Sequence, residues 1–180
     1  MPSPERAAAA LRSMARRGPD ARGSIDLPLG ESRVSLFHAR LSIIDLDPRA
    51  NQPFEQGDFA ISYNGEIYNY LELRSELEAL GERFLTSSDT EVLLAAWRRW
   101  GPACLDKLEG MWAFALADRR AGTLTLCRDR FGEKPLYLWP QDGTLYFASE
   151  VKTLIALAGR RPAVNQSQIL RYLTNGFRTL

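Results

Sequence analysis

The sequence predicts an α+β domain with mostly antiparallel sheet, and two observations carry that expectation. Paired alternating segments joined by turn residues fill the second half of the chain, and helical stripes are grouped around them. In order, residues 3 to about 16 are helical by their alanine content. Ser3 is the expected cap, and Gly18-Pro19 the stop. Residues 33–38 (RVSLFH) alternate as a strand. Residues 58–63 form another, which Asn64-Gly65 turns sharply so that 66–68 run back, the strongest short-range hairpin signal. From Tyr70, leucines at 71, 73, 77 and 80 mark a helix closed by Gly81. Asp89 opens a second helix to Trp100, with Val92, Leu93, Ala96 and Trp97 on its buried side. Cys104 falls on a short amphipathic helix. Two hairpins follow, 111–118 with 123–129 and 135–139 with 144–149, turning at 119–122 and 140–143. Helices are expected at 151–157 and 166–173. The final FRTL offers no cap or polar terminus, as in a chain that continues.

Composition excludes several function classes. The 180 residues are 45% hydrophobic and 25% charged, ordinary for one globular domain. The net charge of +1 gives no field to attract nucleic acid or anionic lipid. Twenty of the 23 basic residues are arginine, spread along the chain among acids. Two cysteines make no disulfide framework and suit a reducing cytoplasm. No apolar run approaches the roughly 20 residues of a membrane helix, and the Ala- and Arg-rich start reads as a surface helix rather than a transit peptide. No cluster of metal ligands is evident.

Seven blocks carry a family resemblance: RRGPD (16–20), HARLSIIDLD (38–47), SYNGEIYNY (62–70), SSDTEVLL (87–94), LEGMWAFALAD (108–118), RDRFGEKPLY (128–137) and FASEVKTL (147–154). In this order they resemble the class II glutamine amidotransferase domain of glutamine-hydrolysing asparagine synthetase. RDRFGEKPLY and SSDTEVLL suit related amidotransferases as well; HARLSIID with NGEIYN is similar to the asparagine-synthetase branch in particular. The resemblance implies a four-layer αββα sandwich of N-terminal-nucleophile type. The two sheets are expected from residues 33–68 and 111–148, with helices 70–80 and 89–100 covering one of them. Residues 1–160 would be the amidotransferase domain, and 161–180 the start of a linker towards a synthetase domain.

The resemblance also implies a glutamine pocket, and the residue chemistry agrees. Arg40 offers a planar fork for the α-carboxylate. Asp89 offers an anion for the α-ammonium, with Glu66 as a second acceptor. Asn64 and the Gly65 N–H stand where the family has its oxyanion hole; glycine there would allow positive φ and close approach to the ligand. Leu41, Ser42, Ile43 and Ile44 would line the wall. Taken singly, Asn64-Gly65 reads as a turn, Asp89 as a helix cap and Arg40 as half of an ion pair. Their joint placement in one ordered match outweighs those readings. His38, the only histidine, is given no catalytic role.

The family pattern begins Met-Cys-Gly-Ile, its cysteine being the nucleophile, whereas residues 1–2 here are Met-Pro. Neither Cys104 nor Cys127 can present a free α-amine beside its sulfur. The chain as written is therefore expected to be inactive, with an open groove or unpaired edge near Asn64 where the family's first strand belongs. No cofactor is expected for this domain; ATP and magnesium belong to a synthetase domain, joined in cis or in trans. L-Glutamine is the expected ligand, cytoplasm the expected location, and a homodimer is admitted. The alternative is a nucleophile-free module that binds glutamine or a partner.

Overall fold

The computed structural model describes residues 1–176; the FRTL tail lies outside the described residues. Helix α1 (Pro4–Met14) begins where expected, the Ser3 Oγ accepting from the Arg6 N–H. Strand β1 (Ala21–Leu29) was not anticipated, because Gly23 and Pro28 interrupt its pattern. It pairs antiparallel with β2 (Ser32–Arg40), which is longer than the expected 33–38.

The largest correction concerns Asn64-Gly65. Strands β3 (Phe54–Gln56) and β4 (Phe59–Ile67) form the hairpin, turning at Gly57-Asp58, where Gly57 has φ +61°. Asn64 and Gly65 lie inside β4, opposite Ala113 and Trp112 of β5 (Gly110–Asp118). The turn signal loses because β5 offers every residue of β4 an in-register partner. Gly65 is not among the glycines with positive φ. It is required for space: a Cβ there would stand 2.2 Å from the Met111 carbonyl oxygen.

Strand β5 pairs onward with β6 (Thr123–Arg128), giving a four-stranded sheet ordered β3-β4-β5-β6. Strands β7 (Tyr137–Gln141) and β8 (Thr144–Ala148) form a separate hairpin. Pro140 and Gln141 belong to the strand rather than to the turn.

Helices α2 (Tyr70–Ala79) and α3 (Asp89–Trp100) together cover one face of the four-stranded sheet, as expected. Leu73, Leu77, Leu93 and Leu94 meet Ile61, Ile67, Phe114 and Leu116 there. Of the four stripe leucines only Leu73 and Leu77 are buried; Leu71 and Leu80 face solvent. Cys104 sits in a 3-10 turn (Gly101–Asp106), not an α-helix, and is fully buried. Trp97 packs edge-on against Phe114 at 5.8 Å.

On the opposite face, Ala60, Ala115 and Ala117 meet Leu27, Leu29, Val34 and Leu36 of the β1–β2 ladder, with Phe147 of β8 beside them. Behind those ladders α1 packs on α4 (Val151–Ala158), the Ser13 and Thr153 hydroxyls 2.8 Å apart. The layers are therefore α2/α3, the four-stranded sheet, the two ladders, and α1/α4: a four-layer αββα sandwich. The expected division into 33–68 and 111–148 is wrong, because β4 and β5 are neighbours in one sheet. A last helix, α5 (Gln166–Asn175), leaves every described side chain exposed or half-exposed. No helix among the described residues is long and apolar enough to cross a membrane.

Candidate functional site

A trench of about 1200 Å³ opens between β2 and β8, floored by the four-stranded sheet. It lies near Asn64, where an open groove was expected. Of the nine expected site residues, Arg40, Leu41, Ile43, Ile44, Asn64, Gly65, Glu66 and Asp89 line it. Ser42 does not; its backbone N–H donates to Asp20 Oδ2 at 2.7 Å.

Three elements bring these groups together. Strand β4 carries Asn64, Gly65 and Glu66 in sequence. Asn64 Nδ2 donates across the trench to Ser149 Oγ at 3.3 Å, which leaves its second N–H free. Helix α3 delivers Asp89 at its first residue, but the N-cap is Ser88, whose Oγ accepts from the Thr90 N–H at 3.1 Å. Asp89 therefore has a task other than capping. Its Oδ2 accepts from the Tyr63 hydroxyl at 2.9 Å and from the Ile67 N–H at 3.1 Å.

Burial raises the Asp89 pKa, and the charge of Glu66 adds to that; bonds from Ile67, Tyr63 and Thr90 oppose it, and the balance stays above the ordinary value. Burial, then Asp89 itself, pushes the Tyr63 hydroxyl well above its usual range. An anion held at such cost gains from a cationic ligand. The loop ahead of α3 is set by Glu91, fully buried, whose carboxylate accepts from the Leu85 and Thr86 N–H groups and the Thr86 hydroxyl.

Arg40 ends β2 and is buried. Its Nη1 donates to Asp47 O at 3.2 Å and Asn51 Oδ1 at 2.8 Å, and its Nη2 to Ile44 O at 3.2 Å and to Asp45 O. Four of its five N–H groups are thus committed, so the expected two-pronged grip on a carboxylate is not free in this arrangement. Arg40 instead folds the 41–51 segment around the trench mouth. Asp45 ties that segment to the α3 loop, accepting from the Ser87 N–H at 2.6 Å.

Sequence reasoning assigned no role to Ser149, Tyr63 or Gln52. Gln52 Oε1 accepts from the Tyr63 N–H at 2.6 Å while its Nε2 donates to Thr90 Oγ1 at 3.2 Å, joining β4 to α3. Ser149 and Tyr63 stand inside two of the recognised blocks, which was the available signal; Gln52 had none. His38 also lines the trench, its Nδ1 3.3 Å from Ser62 Oγ. Ser62 donates to Phe37 O, so the network assigns the proton to His38 Nδ1. Burial, then the Arg40 charge, lowers its pKa to about 4. Neither thiol lines the trench. Burial pushes Cys104 up to about 12 and raises Cys127 as well.

A family model described as "Glutamine amidotransferase domain" matches residues 1–179. The chain is 41% identical to "Asparagine synthetase [glutamine-hydrolyzing] 1" of Bacillus subtilis, over 89% of this chain and 25% of the relative. It is 32% identical to "Putative asparagine synthetase [glutamine-hydrolyzing] 2" of Methanocaldococcus jannaschii, over 92% and 35%. Identity to "Amidase chry2" of Gibberella zeae is 40%, over 81% and 22%. The chain thus spans about a quarter to a third of the length of the curated relatives it matches. Among solved structures, the glutamine phosphoribosylpyrophosphate amidotransferase of B. subtilis shares the fold at TM-score 0.68 and 24% identity, over 84% of this chain and 40% of that one. The chain therefore belongs to the glutamine amidotransferase domain family.

Proposed function

We propose that the Asn64–Asp89 end of the trench binds L-glutamine, and that the domain serves as the glutaminase half of an asparagine synthetase. Ammonia released there would pass to a synthetase domain, in cis or in trans, where ATP and magnesium drive the amidation of aspartate. The reading rests on one observation above the others: a buried carboxylate, Asp89, lies with Asn64, Gly65 and Glu66 around one cavity. Free glutamine needs an anion for its α-ammonium and donors for its carboxamide oxygen, and this end of the trench offers both. The free N–H of Asn64 is suited to an oxygen that gains charge during attack. With Arg40 committed to its loop, its contribution is to hold the wall of Leu41, Ile43 and Ile44 in place.

Titration calorimetry with L-glutamine tests the binding. Asp89→Asn keeps an acceptor for Tyr63 and Ile67 but removes the charge. Losing one charge-assisted contact should weaken binding by about 1.5–3 kcal/mol, roughly ten- to 150-fold. Undiminished binding by a folded Asp89→Asn protein would overturn the assignment.

Hydrolysis needs a nucleophile about 3 Å from the carboxamide carbon, and both thiols of this chain lie elsewhere. The 180-residue chain by itself is therefore expected to bind glutamine without releasing ammonia. Release above background, measured by a coupled glutamate dehydrogenase assay and unaffected by Asn64→Ala, would sink this mechanism.

A further inference from the structure

Strand β3 ends its pairing with β4 at Phe54, opposite Ile61. Beyond that point the Tyr63 N–H finds no strand partner on this edge, and Gln52 Oε1 accepts from it at 2.6 Å. The same amide donates through Nε2 to Thr90 Oγ1 at 3.2 Å. Thr90 follows Asp89 in the first turn of α3, so one buried side chain clamps β4 against the residue next to Asp89. Within that clamp the Tyr63 hydroxyl donates to Asp89 Oδ2 at 2.9 Å.

The Tyr63 ring is 3% exposed and belongs to the core with Ile61, Ile67 and Phe114. Phenylalanine would serve that packing as well. The hydroxyl is the part that packing does not require, and among the described residues its hydrogen-bond partner is Asp89. The Ile67 N–H donates to the same carboxylate oxygen at 3.1 Å. The Thr90 N–H acts on the Asp89 charge but gives its hydrogen bond to Ser88 Oγ. Both committed donors therefore meet Oδ2, while Oδ1 keeps its accepting capacity in a residue that lines the trench.

We propose that Tyr63 is a positioning residue for the ligand's ammonium group: its hydroxyl, with the Ile67 N–H, pins Asp89 Oδ2 and turns Oδ1 into the trench. The assignment rests on reading this end of the trench as the glutamine site, and adds to it the group that aims the carboxylate. With Oδ2 held, the orientation of the carboxylate is fixed before the ammonium arrives, and little freedom is lost on binding. The same bond favours the charged carboxylate against its burial. Because burial keeps the Tyr63 proton in place far above neutral pH, that donor is always present. Of the other ionisable groups nearby, Glu66 of β4 acts on the Asp89 charge. Arg40 and His38 of β2 are turned to the 44–51 loop and to Ser62, and Glu91 of α3 to residues 85–86.

The test uses Tyr63→Phe in the 180-residue protein, which keeps the ring and removes the hydroxyl. Carboxyl carbon-13 NMR without ligand follows the Asp89 titration, its resonance identified by its loss in Asp89→Asn. The midpoint should rise by about one pH unit in Tyr63→Phe. Calorimetry at about pH 8 should show L-glutamine bound about tenfold more weakly. The deficit should widen at about pH 5.5, where the variant holds more protonated Asp89. A ring that only packs would move neither quantity, so an unmoved midpoint, or an unchanged affinity in the folded variant, overturns the proposal. Gln52→Met loosens the clamp and leaves the hydroxyl in place. It should raise the midpoint by less, and it carries the test on the same criteria if Tyr63→Phe does not fold. If the unaltered protein binds no glutamine, the glutamine reading fails by itself, and the Asp89 midpoints still decide whether Tyr63 holds the carboxylate.

Discussion

His38 should make the fold pH-sensitive in a window where exposed histidines do not. Its pKa falls from 6.5 to about 4 on folding, because burial and then the neighbouring Arg40 disfavour the imidazolium. As pH drops through 6.5, the unfolded chain takes up a proton at His38 that the folded chain refuses until about pH 4. The unfolded state binds more protons throughout that interval, so stability falls as pH falls. A drop from 6.5 to about 4, at 1.36 kcal/mol per pH unit, amounts to about 3 kcal/mol. Urea unfolding at about pH 7.5 and about pH 4.5 measures it, for the natural chain and for His38→Gln, which can still donate to Ser62. Carboxylates elsewhere titrate alike in both proteins, so the comparison isolates one group. The natural chain should lose about 2–3 kcal/mol more than the variant over that interval. Parallel losses, within about 0.5 kcal/mol, would mean that the folded protein already tolerates a charged His38 and that the trench wall there is wetter than its geometry says.

Two further substitutions probe the scaffold. Gly65→Ala would place a Cβ 2.2 Å from the Met111 carbonyl oxygen and 2.8 Å from Trp112 Cα; β4 and β5 must part, and urea unfolding should show a loss of about 3 kcal/mol or more. Asp129 accepts N–H bonds from Trp112, Phe131, Glu133 and Lys134 at 2.9–3.3 Å. Burial alone would raise its pKa, but those bonds overcome it and the value is lowered. Its stabilisation is thus present above the ordinary carboxylate value and lost as pH falls through the lowered one. In Asp129→Asn an NH2 group faces two of the donors, and amide exchange in residues 129–134 should quicken even at neutral pH.

How much of this was legible in the sequence depended on where the deciding partner lies. Ser3, Gly81 and the turns of the late hairpins act on backbone groups a few residues away, and those elements came out near their expected bounds. Asn64-Gly65 failed because its partner is β5, more than forty residues on, and no local signal competes with nine paired residues. Strand β1 was invisible for the converse reason. Its glycine and proline argue against a strand locally, while Gly23 is there because any Cβ would stand 2.3 Å from the Gln52 carbonyl oxygen.

The site divides along the same line. The ordered blocks said that Arg40, Asn64, Gly65, Glu66 and Asp89 belong together, and eight of the nine named residues line one cavity. They did not say where each donor points. Arg40 is spent on four oxygens of the 44–51 segment, an outcome set by how that loop closes and not by the identity of the arginine. Asp89 went the other way: a residue type that commonly caps helices is relieved of that work by Ser88 and is buried instead. Two donors hold one of its oxygens, yet its pKa remains above the ordinary value, so the fold is less stable for keeping it charged. Under the proposed glutamine reading, an ammonium group paired with Asp89 would offset that cost, and the free energy regained would appear as affinity. Binding should then weaken as pH falls towards the raised Asp89 value, with proton release on binding that grows as Asp89 becomes protonated in the free protein and approaches one per glutamine only below that value.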